Sequence, residues 1–148
     1  MVAHYLSRKF ECKEVELIPI EAYSTDYDKV VREEQNNDSS NSLRKYRKIK
    51  EDLSKYDEII IGSPVWWYSI TPIIRTFLME ENLTGKVIRP FATNAGWLGR
   101  TFKEIEDIGK IKGYKMGTPL NVLFTENYKE NRLVTRASDI EKWSELDE

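Results

Sequence analysis

Three consecutive isoleucines, Ile59, Ile60 and Ile61, lie in the segment DEIIIGSP at residues 57–64. A strand with one face in water would alternate apolar and polar residues, and this run does not. A continuous β-branched run is typical of a strand buried on both faces, as in a parallel sheet. The rest of the chain must therefore supply layers that cover both faces of this strand.

The surrounding segments alternate between strand and helix patterns. We expect strands at VELIPI (residues 15–20), at 57–64, at 86–95 and at 116–124. Helical spacing of apolar residues predicts helices at residues 1–10, 43–53, 71–81, 101–111 and 138–146. Thr71 and either Ser138 or Asp139 are the expected N-caps, and NNDSSNS (residues 36–42) is an expected surface loop. This alternation predicts an α/β three-layer sandwich, a parallel sheet with helices on both faces.

Length and composition argue against several classes of protein, among them nucleic-acid-binding, membrane-spanning and secreted proteins. The 148 residues suit one domain, and the net charge of −2 gives no basic excess for nucleic acid or a membrane surface. No apolar stretch approaches the roughly 18 residues that span a bilayer, and the N-terminus does not resemble a signal peptide. The single cysteine, Cys12, suits a cytoplasmic protein. With His4 as the only histidine, a His/Cys zinc site is not expected.

Two aromatic loops follow neighbouring strands. SPVWWYS follows the strand at 57–64, and TNAGWLG follows the strand at 86–95. Ligands of open parallel sheets bind beyond the carboxyl ends of the strands, so both loops are expected to meet at one crevice. Adjacent side chains of an extended segment point to opposite sides, so Trp66 and Trp67 are not expected to be buried alike. For one of the two, packing in the core remains the alternative to ligand binding. The pair of loops favours a planar, apolar ligand with a polar edge.

Motifs for other chemistry are absent from the sequence. There is no GxSxG, HExxH, P-loop or GxGxxG motif, and no catalytic residue is nominated. Any redox chemistry would therefore have to come from a cofactor.

Two long blocks resemble the flavodoxin-like FMN proteins. They are YDEIIIGSPVWWYSITPIIRTFL and LTGKVIRPFATNAGWLGRTFKEIE, with weaker support from ELIPIEAYSTDYD and DIEKWSEL. The family's fold is a five-stranded parallel sheet in the order 2-1-3-4-5, and the resemblance implies one domain of this kind over residues 1–148. It also implies FMN as cofactor, a redox partner protein, and a role in electron transfer or flavin-dependent reduction; whether the chain is an enzyme stays open. The flavin-binding residues it implies are Ser63, Pro64, Trp66, Trp67 and Tyr68 in the first loop and Thr93, Asn94, Ala95, Gly96, Trp97 and Gly99 in the second.

The resemblance begins in the middle of the family's first helix, at MVAHYLSRKF. The first strand and the Ser/Thr/Gly-rich phosphate loop of the family have no counterpart, so we expect an N-terminally truncated domain. Hydrogen bonds to a charged group contribute about 1.5–3 kcal/mol each. Loss of two or three would weaken FMN binding by at least ~10³-fold.

The unmatched first strand also affects the sheet. We expect either that VELIPI pairs with DEIIIGSP, or that a homodimer forms by strand or helix exchange. The alternative function is a truncated remnant of the fold, with weak or no FMN binding, that acts as a non-enzymatic interaction protein.

Overall fold

The computed structural model describes residues 1–23, 25–26, 29, 43–126 and 130–147 of the chain. Its helices and strands are α1 (Val2–Lys9), β1 (Glu58–Pro64), α2 (Pro72–Glu80), β2 (Val87–Asn94), α3 (Thr101–Lys112), β3 (Lys115–Met116), β4 (Leu120–Leu123) and α4 (Ala137–Ser144). From residue 58 onward, strands and helices alternate as the sequence predicts. No described helix is long and apolar enough to cross a membrane.

The sheet is parallel throughout the described strands. β2 lies in the middle and pairs with β1 from Glu58↔Val87 to Pro64↔Thr93. On its other side β2 pairs with β3 and then with β4. β1 therefore lies at one edge of the sheet, and no described strand pairs with its outer side.

The predicted strand at residues 116–124 is interrupted. β3 and β4 both pair with β2, but residues 117–119 between them are not strand. Pro119 has no N–H to donate to a sheet ladder, which accounts for the break. In this interruption the Thr118 carbonyl accepts a hydrogen bond from the Trp143 indole N–H at 2.7 Å.

Two apolar cores cover the two faces of the sheet. β2 serves both cores, because its alternating side chains place Ile88 on one face and Phe91 on the other. The core of the α2–α3 face consists of Ile61, Ile70, Ile73, Ile74, Phe77, Leu78, Leu83, Ile88, Ile105, Ile108 and Tyr114. The core of the α1–α4 face consists of Val2, Leu6, Phe91, Leu120, Val122, Ile140 and Trp143. The predicted three-layer α/β arrangement is thus confirmed.

The predictions for the segments before residue 57 are wrong in two places. VELIPI forms only an isolated antiparallel bridge, Pro19↔Tyr46, and does not pair with β1. Residues 43–53 are not helical: Arg47 N–H donates to the Ile18 carbonyl at 2.8 Å, and a 3₁₀ turn begins only at Leu53. The helical spacing reflects intermittent contact with the core of the α2–α3 face, since Tyr46 and Leu53 lie half-buried against it. The loop expected at residues 36–42 falls outside the described residues.

The predicted helix caps also need correction. Thr71 occupies the N-cap position of α2, but its side chain makes no capping hydrogen bond. The last helix begins earlier than expected, with Arg136 at its N-cap, so Ser138 and Asp139 lie inside its first turn. There Asp139 accepts a hydrogen bond from Arg136 Nε at 3.2 Å, at the exposed start of the helix.

Candidate functional site

The first aromatic loop is a tight two-residue turn. Trp66 and Ser69 exchange both backbone hydrogen bonds, at 2.9 and 3.0 Å, so Trp67 and Tyr68 occupy the two central positions. Their φ angles are 50° and 61°, in the left-handed region where such turns normally place Asn and Gly. The Trp67 and Tyr68 residues are 38% and 58% exposed. The turn therefore holds two large aromatic side chains toward solvent.

Trp66 differs from its neighbour. It is half-buried, and its ring makes a T-shaped contact with the Tyr23 ring, with a centroid distance of 4.9 Å and an interplanar angle of 75°. The Arg44 guanidinium lies 4.3 Å from the centre of the Tyr23 ring. Arg44 also donates to the Glu21 and Ala22 carbonyls, at 2.8 and 3.0 Å. Of the two adjacent tryptophans, Trp66 is thus the one that fills space.

The residues before the turn are structural. Ser63 is buried; its hydroxyl donates to the Pro64 carbonyl at 2.8 Å and accepts from the Thr71 N–H at 3.3 Å. Pro64 is exposed and ends β1, and the Val65 N–H then donates to the Thr93 carbonyl at 3.0 Å. These bonds fix where the strand ends and where α2 begins.

The second loop starts with a side-chain turn. Asn94 accepts the Gly96 N–H on Oδ1 at 2.9 Å, and its amide nitrogen donates to Asn121 Oδ1 at 2.6 Å. Thr93, Asn94 and Ala95 are half-buried, and Gly96 has a φ of 126°. Trp97 is 69% exposed. Among the described residues, the N–H groups of Ala95 and Trp97 have no hydrogen-bond acceptor.

The two loops meet at Tyr68 and Gly99. A β-carbon at position 99 would lie 2.3 Å from the Tyr68 carbonyl oxygen, and the next residue, Arg100, donates its N–H to that oxygen at 2.7 Å. Position 99 has a φ of 53°. The exposed rings of Trp67, Tyr68 and Trp97 are therefore carried by loops in direct contact at the carboxyl ends of β1 and β2.

A buried polar cluster that the sequence does not predict lies under the turn. Glu104 of α3 accepts hydrogen bonds from the Ser69 hydroxyl and from the Arg75 guanidinium of α2. The Arg75 and Glu104 side chains are 4% and 13% exposed. The only sequence signal is a lone cation in the apolar run PIIRTFLM, and nothing in the sequence identifies its partner 29 residues away.

The aromatic loops form an open surface. Two pockets, of about 280 and 460 Å³, are found elsewhere on the described chain, and none of the aromatic residues of the loops lines them. The smaller pocket lies between β4 and the start of α4, and the larger lies between residues 48–54 and 81–86. An open platform suits a flat ligand that lies against the protein.

The sequence profile of the flavodoxin family matches residues 10–135 of the chain. The chain belongs to the flavodoxin family. No curated protein sequence matches it at a significant level. The family match covers both aromatic loops and the strands that carry them.

Solved structures share the flavodoxin fold with this chain. A candidate flavoprotein from Bacteroides eggerthii is 25% identical, with a TM-score of 0.72 over 96% of this chain and 85% of that protein. A candidate flavoprotein from Bacteroides uniformis is 23% identical, with a TM-score of 0.71 over 96% and 86% of the two chains. A Lactobacillus acidophilus flavoprotein, crystallised with FMN, is 20% identical, with a TM-score of 0.64 over 96% and 90%. The family and the α/β fold that the resemblance implies are thus confirmed.

Proposed function

We propose that this member of the flavodoxin family binds FMN on its two aromatic loops and acts in electron transfer or flavin-dependent reduction. The contact between Tyr68 and Gly99 carries the proposal, because it joins the loops that bear the exposed rings. The FMN complex of the Lactobacillus acidophilus structure, which shares the fold, supports the choice of ligand.

The loops offer what a flavin ring requires. The ring is planar, with apolar faces and a polar edge of carbonyl and nitrogen groups. Trp67, Tyr68 and Trp97 present exposed aromatic surface for the faces. The N–H groups of Ala95 and Trp97 are available as donors to the polar edge.

Gly96 allows the ligand to come close to the backbone. Among the described residues, a β-carbon at this position would have only the Glu126 carboxylate within 4 Å, at 3.9 Å, so no described atom fills the space beside it. The Asn94 side chain holds the preceding turn in shape from inside the sheet, through its bond to Asn121. The second loop therefore presents its main chain in one fixed conformation.

FMN, when bound, supplies the redox chemistry by accepting and donating one or two electrons. The residues of the chain would bind and orient the ring, keep water from one of its faces and donate hydrogen bonds at its edge. Hydrogen bonds and burial of this kind are the means by which a protein tunes its cofactor. The same site suits an electron carrier and a small flavin reductase.

Titration of free FMN tests the proposal. We expect quenching of FMN fluorescence and a yellow protein after reconstitution. Trp67→Ala or Trp97→Ala should weaken binding by roughly two- to tenfold, the contribution of one aromatic contact. Ile111→Ala is the matched control, since Ile111 is 77% exposed on α3 and lies outside the loops. Saturating FMN that gives neither quenching nor colour would favour the non-enzymatic interaction protein instead.

A further inference from the structure

The turn at residues 66–69 rests on the buried ion pair of Arg75 and Glu104. Arg75 donates to both carboxylate oxygens of Glu104, from Nε to Oε1 and from Nη2 to Oε2, the latter at 3.2 Å. Arg75 Nη2 also donates to the Ile70 carbonyl at 3.3 Å, and the Ser69 hydroxyl donates to Glu104 Oε2. Ser69, the last residue of the turn, and Ile70, the residue after it, are therefore both bonded to one ion pair.

The turn needs such support, because its backbone conformation is unfavourable. Trp67 and Tyr68 have side chains that disfavour positive φ, and a residue held there is strained unless its surroundings impose the conformation. The start of α3 bonds to two consecutive residues of the turn, Tyr68 and Ser69. Arg100, directly before α3, donates its N–H to the Tyr68 carbonyl, while Glu104, one helical turn later, accepts from Ser69.

We propose that Glu104, held by Arg75, is a positioning residue that fixes the aromatic turn in the conformation that receives the flavin. This inference rests on the proposed FMN function, and it assigns Glu104 no contact with the ligand. Arg75 orients the carboxylate, and the carboxylate holds Ser69. Tyr68 is then held by the Arg100 N–H and by the anchored Ser69 next to it, and Trp67 belongs to the same turn. Loosening Ser69 should disturb the exposed rings while leaving the sheet intact.

The first test needs no flavin. Ser69→Ala removes one hydroxyl and leaves the ion pair in place. Amide hydrogen exchange of the purified protein should become roughly ten- to a hundredfold faster at Trp66 and Ser69, whose N–H groups close the turn. Exchange along β2 should not change. Ser69→Thr keeps the hydroxyl and should restore slow exchange.

The second test measures FMN binding and the flavin midpoint potential. Ser69→Ala and Glu104→Gln should each weaken FMN binding at least about tenfold and shift the potential, and Ser69→Thr should restore both. The control is Glu58→Gln, which weakens another ion pair with a buried arginine, Arg89, at 3.0 Å. Arg89 bonds to the Trp143 carbonyl on the opposite face of the sheet, so FMN binding should persist in this variant.

The outcomes separate the two proposals. If the unmodified protein does not bind FMN, the proposed function fails, and the role of Glu104 toward a flavin fails with it. If it binds FMN but Ser69→Ala changes neither exchange nor affinity, the positioning role alone is overturned. Faster exchange with unchanged affinity also overturns it, because the turn would then be loosened without effect on the ligand. Should Glu104→Gln not fold, Ser69→Ala and Ser69→Thr decide the question.

Discussion

The backbone of Tyr68 lies directly on Gly99, so that a β-carbon at position 99 would be 2.3 Å from both the carbonyl oxygen and the β-carbon of Tyr68. The glycine is required twice. Its φ of 53° disfavours other residues, and its missing side chain leaves room for the aromatic turn. This contact sets the position of the first loop relative to the second.

Gly99→Ala should therefore separate the loops. We expect a loss of about 1–3 kcal/mol in the free energy of unfolding, from overpacking and backbone strain, and FMN affinity at least about tenfold lower. Urea unfolding and FMN titration measure the two effects. Gly85→Ala is the matched control, because Gly85 also has a positive φ, 78°, but a β-carbon there meets no atom of the described residues within 4 Å. Equal behaviour of the two variants would contradict the requirement for close contact at position 99.

Replacing the strained turn should raise stability and lower binding. The double variant Trp67→Asn, Tyr68→Gly installs the residue pair preferred when both central φ angles are positive. We expect the unfolding free energy to rise by about 1 kcal/mol and FMN binding to weaken, since both exposed rings are lost. Thermal unfolding and flavin titration test the pair of effects together. A variant that binds FMN as tightly as the unmodified chain would remove these rings from the site.

The sequence predicts the fold well from residue 57 onward, because the patterns there are local and strong. The run Ile59-Ile60-Ile61 predicts a strand covered on both faces, and its side chains do contact both cores. Pro72 after Thr71 likewise indicates a helix start. The segments before residue 57 are predicted poorly. Leu17 and Tyr46 are half-buried against the core without regular structure, so their apolar spacing imitates a strand and a helix. A segment that touches the core at intervals has the same apolar spacing as a strand or a helix, so the sequence alone cannot tell them apart.

The candidate site is likewise predicted only in part from the sequence. The positions of the two aromatic loops follow from strand order, and the structure brings them into contact at Tyr68 and Gly99. The conformation of the turn could not be predicted, since Trp67 and Tyr68 contradict the local preference for Asn and Gly. The ion pair that supports the turn was also hidden, because the packing of α2 against α3 decides which carboxylate faces Arg75.

Tyr114 should make the protein less stable at alkaline pH. Burial, together with the nearby Glu104 carboxylate, raises the pKa of the Tyr114 phenol above its ordinary value of about 10. The unfolded phenol ionises near pH 10, whereas the folded phenol keeps its proton and donates it to the Ile105 carbonyl. The stabilisation is therefore complete below about pH 10 and is lost as the pH rises further.

Tyr114→Phe isolates this contribution. Its unfolding free energy should fall less steeply with pH above 10, by up to about 1.4 kcal/mol per pH unit, the value for one proton. Urea unfolding across the alkaline range gives both slopes. Tyr5→Phe, at an exposed position on α1, is the control for the loss of a phenol. Identical slopes in Tyr114→Phe and the unmodified chain would show that the pKa of this phenol is the same in the folded and unfolded states.

FMN and riboflavin should bind the 148-residue chain with similar affinity, within about tenfold. The proposed flavin-binding residues of both loops are uncharged, so none of them offers the phosphate a cation. Binding should accordingly depend only weakly on salt, because screening acts on charged pairs. Parallel titrations of the two ligands at low and high ionic strength measure the affinity ratio and the salt dependence. Trp67→Ala should weaken the binding of both ligands equally. An FMN affinity that exceeds the riboflavin affinity by ~10³-fold would instead require several charge-assisted hydrogen bonds to the phosphate, which would place part of the binding energy outside the aromatic loops.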